Sequence, residues 1–170
     1  NTSLNSLYFS PETSSVPVGQ TFNVQVRLNA IQNVNAVETN ISYPANILSV
    51  SSIAGGGFGI EASKTFSNGN INLAYGNIAP LTGDVLVATI TFQALTNGTA
   101  NLTFGSSSVI SSATNQNVLQ ATNNSTYIIG STPTATPTPT RTPTPVPPTP
   151  TPTIPAGDDI FPWIPTDIGN

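Results

Sequence analysis

Between residues 4 and 130, apolar positions return every second residue and nowhere at helical spacing. In TFNVQVRLN, Phe22, Val24, Val26 and Leu28 alternate with polar neighbours, the period of a half-buried strand. VETNISY repeats the pattern with Val37, Thr39, Ile41 and Tyr43 inward. By the same alternation Glu38, Asn40 and Ser42 face outward. Further strands are predicted at NILSVSSI, NINLAYG, DVLVATITFQAL, TANLTFG, SSVISS and STYIIG, punctuated by YPAN, AGGG, SNGN, PLTGD and TNGT. Many short strands with Gly/Asn turns predict an all-β, antiparallel two-sheet sandwich.

The pattern stops at residue 130, which divides the chain into three parts. Residues 1–130 are the sandwich, 131–157 a Thr/Pro-rich linker, and 158–170 an acidic and aromatic terminal peptide. Alternating Thr-Pro holds a backbone near polyproline II and removes half of its amide donors, so the linker joins neither sheet nor helix. At ~3.1 Å per residue, Thr132 to Pro155 spans on the order of 70 Å. Dense Thr beside Pro also suits O-glycosylation, with Thr134, Thr138, Thr142 and Thr151 as candidate sites. The terminal peptide gathers Ile160, Phe161, Trp163 and Ile164 between Asp158, Asp159 and Asp167. Such an apolar cluster at the end of a solvated spacer is expected to dock in a groove on another copy of the sandwich.

Composition narrows the chemistry. The chain has 170 residues, three Lys or Arg against seven Asp or Glu, and no His or Cys. Three scattered cations do not make a nucleic-acid surface. Without imidazole or thiol, the remaining catalytic candidates are the carboxylates Glu12, Glu38, Glu61 and Asp84. A glycosidase needs two of them converging across substrate, and nothing in their spacing suggests such a pair. No enzyme activity, metal or cofactor is expected. No apolar run reaches the roughly 20 residues that span a bilayer. The chain opens on Asn1 rather than Met, which fits a removed secretion signal and an extracellular or cell-surface location.

Four segments, in order, carry a family likeness. PVGQTFNVQVRL, VETNISYPANILSV, GDVLVATITFQAL and NGTANLTFGSSSV resemble the cohesin family. The matching positions are Val18-Gly19, the turn Ser42-Tyr43-Pro44-Ala45-Asn46-Ile47-Leu48, and the strand Gly83 to Phe92. The resemblance covers roughly residues 4 to 130. It implies a nine-stranded jelly roll that binds protein partners, the best known being dockerin modules. It also implies an outward Asn-x-Asp pair on the third strand, where this chain has Ala36-Val37-Glu38. The acid is kept as Glu38 and the amide is replaced by Ala36.

The function expected from these readings is structural or interactive. The favoured form is a subunit that assembles with copies of itself into a surface filament, through a face carrying Ala36, Glu38, Asn40 and Ser42 and through the terminal peptide. The alternatives are a scaffold module that recruits a dockerin-like partner, and a carbohydrate-binding module. Sugar sites in sandwiches display planar aromatics, and here Phe58, Phe66, Tyr75 and Tyr127 are the candidates, although aromatics in sandwiches more often belong to the core. Six Asn-x-Ser/Thr sites, at Asn1, Asn40, Asn97, Asn101, Asn123 and Asn124, are about what so Asn-, Ser- and Thr-rich a chain contains by chance.

Overall fold

The structure, a computed structural model, describes residues 4–130. The linker and terminal peptide, with the candidate sites Thr134, Thr138, Thr142, Thr151, Ile160, Phe161, Trp163 and Ile164, lie outside the described residues. Nine strands and no helix are present among the described residues: β1 Ser6–Ser10, β2 Thr13–Pro17, β3 Thr21–Ser42, β4 Leu48–Gly55, β5 Ile60–Ser67, β6 Asn70–Ala94, β7 Gly98–Ser111, β8 Ala121–Asn123 and β9 Ser125–Gly130. The expected all-β jelly roll is the observed fold.

Two long strands build both layers. Residues 21–30 of β3 pair antiparallel with β1 and with residues 83–93 of β6, whose other edge takes β4; β8 closes the far side of β1. Residues 34–42 of β3 pair instead with residues 70–81 of β6 and with β7, and β5 flanks β6 at the outer edge. The first half of β7 pairs with β9, which takes β2 in parallel. Register shifts between Ala30, Val34 and Ala36 mark where β3 passes from one layer to the next. Bulges of this kind bend a strand without ending it. TFNVQVRLN and VETNISY are therefore one strand rather than two, and NINLAYG continues into DVLVATITFQAL through the expected turn PLTGD. TANLTFG and SSVISS likewise merge into β7.

The core confirms the predicted register. Val24, Val26, Leu28, Val37, Ile41, Tyr43, Ile90 and Phe92 are all buried, as is Thr39. Rings join the layers: Phe9 of β1 stacks on Phe104 of β7 at 4.2 Å, Tyr43 meets Phe92 edge-on at 5.4 Å, and Phe22 lies 5.4 Å from Tyr127. Full burial of each large apolar side chain stabilises the sandwich by roughly 1.5–3 kcal/mol. Three of the four aromatics considered for sugar stacking are core residues. Tyr75 alternates inward with Ile71 and Leu73, Phe58 is buried behind the glycine run, and Tyr127 is fully buried with its hydroxyl donating to the Pro11 carbonyl at 2.6 Å. Only Phe66 of the four is exposed.

Two turns have clear causes. SNGN closes the β5–β6 hairpin with Asn68 and Gly69 at φ 45° and 84°, the paired left-handed geometry of a type I′ turn. AGGG is not a free turn. Gly56 donates to Val87 O at 2.9 Å and Gly57 to Leu86 O at 2.7 Å, so the run lies flat against β6 beyond the end of β4.

On the outer face of the β1–β3–β6 layer, a polar clasp ties three strands. Asp84 accepts from Arg27 Nε at 3.0 Å, Arg27 Nη2 at 2.9 Å and the Tyr8 hydroxyl at 2.7 Å. The Arg27 hydrogen bonds, then that of Tyr8, hold the Asp84 carboxyl below its ordinary value. A depressed carboxyl stabilises the fold above its unfolded pKa of about 4 and loses that contribution as pH falls through the lower folded value. Asp84 is half exposed, so the contribution is at most about 1 kcal/mol. The stability gap between wild type and Asp84→Asn, read from urea melts, is expected to be small at pH 7 and to close below about pH 4. A gap that widens in acid would contradict the clasp.

Candidate protein-interaction face

The outer surface of the β7–β3–β6–β5 layer is assembled row by row from ladder partners, because residues opposite one another in a sheet project from the same side. One row holds Ile60, Gly76, Ala36 and Ile110; the next Ser63, Ala74, Glu38 and Ser108; the next Thr65, Asn72 and Asn40; and the last Ser67, Asn70, Ser42 and Thr103. Ala36, Glu38, Asn40 and Ser42, singled out in the sequence, thus project from one face. Glu38 and Ser42 are exposed, and Ala36 and Asn40 half-buried.

This face is graded. At one end Asn40 Nδ2 donates to Asn72 Oδ1 at 2.6 Å, and the surrounding side chains are small and polar. At the other end Ile60, Ala62, Ala74 and Ile110 line an open hollow of about 290 Å³, with Glu38 on its border. A second hollow, of about 260 Å³, lies toward Asn40, Asn72 and Ser63, again bordered by Glu38. Ala74 and Ser108, the ladder neighbours of Glu38, are short, so the carboxylate stands above a nearly flat surface. Both cations among the described residues are engaged elsewhere, Arg27 with Asp84 and Lys64 with Glu61 at 2.9 Å. Glu38 has no ion-pair partner among the described residues.

Beyond the apolar end stands a residue that alternation does not reveal. Ile78, two positions past Gly76, is 92% exposed. Its stretch of β6 is fixed by Asn77, whose Oδ1 accepts from Gly59 N at 3.0 Å and whose Nδ2 donates to Ala79 O at 2.9 Å. An isoleucine held out on a braced stretch of strand beside an apolar hollow is an anchor-like feature. GNIAPL carries no strand period, and its Gly and Pro mark it only as a connection.

Among the described residues the other carboxylates do not converge with Glu38 into a catalytic pair. Asp84 is held in the clasp on the opposite layer, Glu61 is bound to Lys64, and Glu12 is exposed in the β1–β2 connection. Among the described residues no cluster of three acids, His or Cys is poised for a metal. No helix among them is long and apolar enough to cross a membrane.

A jelly-roll sandwich with one flat, weakly charged outer face is the architecture of a protein-interaction module. The cohesin-domain profile matches residues 8–129, and the chain belongs to the cohesin family. Solved structures agree in fold. A non-cellulosomal cohesin from the hyperthermophilic archaeon Archaeoglobus fulgidus superposes with TM-score 0.65 at 19% identity, over 75% of this chain and 92% of that one. The seventh ScaB type I cohesin from Pseudobacteroides cellulosolvens gives 0.67 at 14% identity, over 78% and 96%. The sixth cohesin of Acetivibrio cellulolyticus scaffoldin B, solved in complex with a dockerin, gives 0.65 at 15% identity, over 74% and 99%. No curated protein matches the chain.

Proposed function

We propose that the chain is a non-catalytic module that binds a protein partner through the Glu38 face, and that a dockerin-like module is the partner class. The observation that supports this most is the exposed carboxylate with no counter-ion among the described residues, set between an apolar hollow and an amide-rich surface. A partner fits it by placing apolar side chains over Ile60, Ala62 and Ile110 and a cation or hydrogen-bond donor at Glu38. Family membership and the dockerin in the scaffoldin B complex support the same partner class. An extracellular or cell-surface location accords with such a role.

A second reading, self-assembly into a filament, is favoured by the terminal peptide, whose Ile160, Phe161, Trp163 and Ile164 lack a local core in the sequence. A single peptide of this kind binds weakly, because burying four side chains gains roughly 6–12 kcal/mol while ordering about ten residues costs a comparable ~10–20 kcal/mol. Sedimentation velocity separates the two readings. The recruitment module is expected to stay monomeric at high concentration and to shift only when a dockerin is added. Concentration-dependent polymers that vanish on deletion of residues 158–170 would favour self-assembly instead.

A further inference from the structure

We propose that Asn97 is an N-glycan acceptor site, the one Asn-x-Ser/Thr site among the described residues that the folded chain presents with both amide and hydroxyl exposed. Transfer joins Asn97 Nδ2 to C1 of the first sugar of a lipid-pyrophosphate-linked oligosaccharide. The bond from C1 to the pyrophosphate oxygen breaks, the lipid pyrophosphate leaves with the electron pair, and one amide proton passes to a base. The transferase must therefore reach both the Asn amide and the hydroxyl two residues on.

Folding closes the other four described sites in different ways. Asn40 and Ser42 lie in β3 between two paired neighbours, and the Asn40 amide already donates to Asn72. Asn101 lies in β7, paired with Thr126, and its Oδ1 accepts from the Thr126 hydroxyl at 3.0 Å. The same bond engages the hydroxyl of the Asn124 site, while Asn124 Oδ1 accepts from Phe104 N at 3.0 Å. The Asn123 site ends on Ser125, which is 3% exposed. By contrast Asn97 and Thr99 are both exposed, Asn97 lies in the turn between β6 and β7, and no side-chain hydrogen bond among the described residues engages either.

A second observation marks the same end of the molecule. Leu95, Val18 and Ile128, between 42% and 50% exposed, gather around this turn: Ile128 is the ladder partner of Thr99, and Val18 N bonds Gly130 O next to Ile129, the partner of Gly98. The apolar C–H faces of a glycan would cover these side chains. The turn lies beside Ala94 and Gly98, at the opposite end of the strands from the Ile60–Gly76–Ala36–Ile110 row. A glycan there leaves the Glu38 face open.

The test is to incubate the folded, full-length chain with an oligosaccharyltransferase that requires only Asn-x-Ser/Thr, together with its lipid-pyrophosphate-linked oligosaccharide, and to map glycopeptides by mass spectrometry. Occupancy at Asn97 is expected to exceed that at Asn40, Asn101, Asn123 and Asn124 by at least tenfold, and Asn97→Gln to abolish it. An unmodified Asn97, or glycan placed on any of those four sites at comparable occupancy, overturns the proposal.

Discussion

Replacing Gly56 by alanine is expected to lower the thermal midpoint by on the order of 10 °C, the largest stability effect of any conservative change outside the large core residues. A Cβ at position 56 would collide with Leu86 O and lie 2.6 Å from Leu86 C. Those atoms belong to β6, where Leu86 is paired with Arg27 of β3 on one side and accepts from Gly57 N on the other, so the backbone cannot step aside without breaking hydrogen bonds. Gly56 also donates to Val87 O, and displacement would leave that carbonyl unpaired. Overpacking of this kind costs about 3 kcal/mol or more. Differential scanning calorimetry checks it against Gly57→Ala. There the added atom would lie 3.4 Å from a Val85 methyl and 3.6 Å from Leu86 O, ordinary contacts. Equal midpoints for the two variants would show that the glycine run does not lie against β6.

The second large effect concerns recognition. In the proposed complex Glu38 meets a donor, and Ile78 enters an apolar pocket of the partner. Combining Glu38→Lys with Ile78→Asp is expected to weaken partner binding about 100-fold or more, since loss of two central contacts removes roughly 3 kcal/mol or more. Stability should hardly change, because both side chains are exposed. Asn77→Ala should produce a smaller loss of affinity, by releasing the stretch of β6 that presents Ile78. Titration calorimetry and thermal melts of the same preparations distinguish lost contact from lost fold. Unchanged affinity in the double variant would remove the face from the binding account.

The sequence revealed the register of the fold more fully than its connections. Alternation through Val37, Thr39, Ile41 and Tyr43 placed Glu38 outward because β3 has one buried and one solvated side, and a slip of one residue would have exposed four core positions. The same alternation could not show that β3 and β6 run through both layers, since a bulged crossing looks locally like a turn. β5 is illegible in the sequence for a different reason. As an edge strand it buries little, and IEASKTFS is nearly all exposed, so no period is written into it. β1, β2 and β8 are short or polar and were equally silent. The far half of the candidate face was hidden for the same cause: Ile60, Asn72 and Ile110 become neighbours of Glu38 only through ladder pairing across four strands. The aromatics divide: Tyr75 shares the inward period of Ile71 and Leu73, whereas Phe58 and Tyr127 carry no local sign of which side of a sandwich they occupy.

The central claim is that the β7–β3–β6–β5 surface is where a protein partner docks. Hydrogen–deuterium exchange tests it most directly, comparing the full chain alone, at high self-concentration, and with dockerin modules added. Slowed exchange in the bound state is expected across residues 36–42, 60–67, 70–78 and 106–110, with the clasp of Tyr8, Arg27 and Asp84 unchanged. Protection confined to the clasp face, with the Glu38 face exchanging as in the free chain, would contradict it.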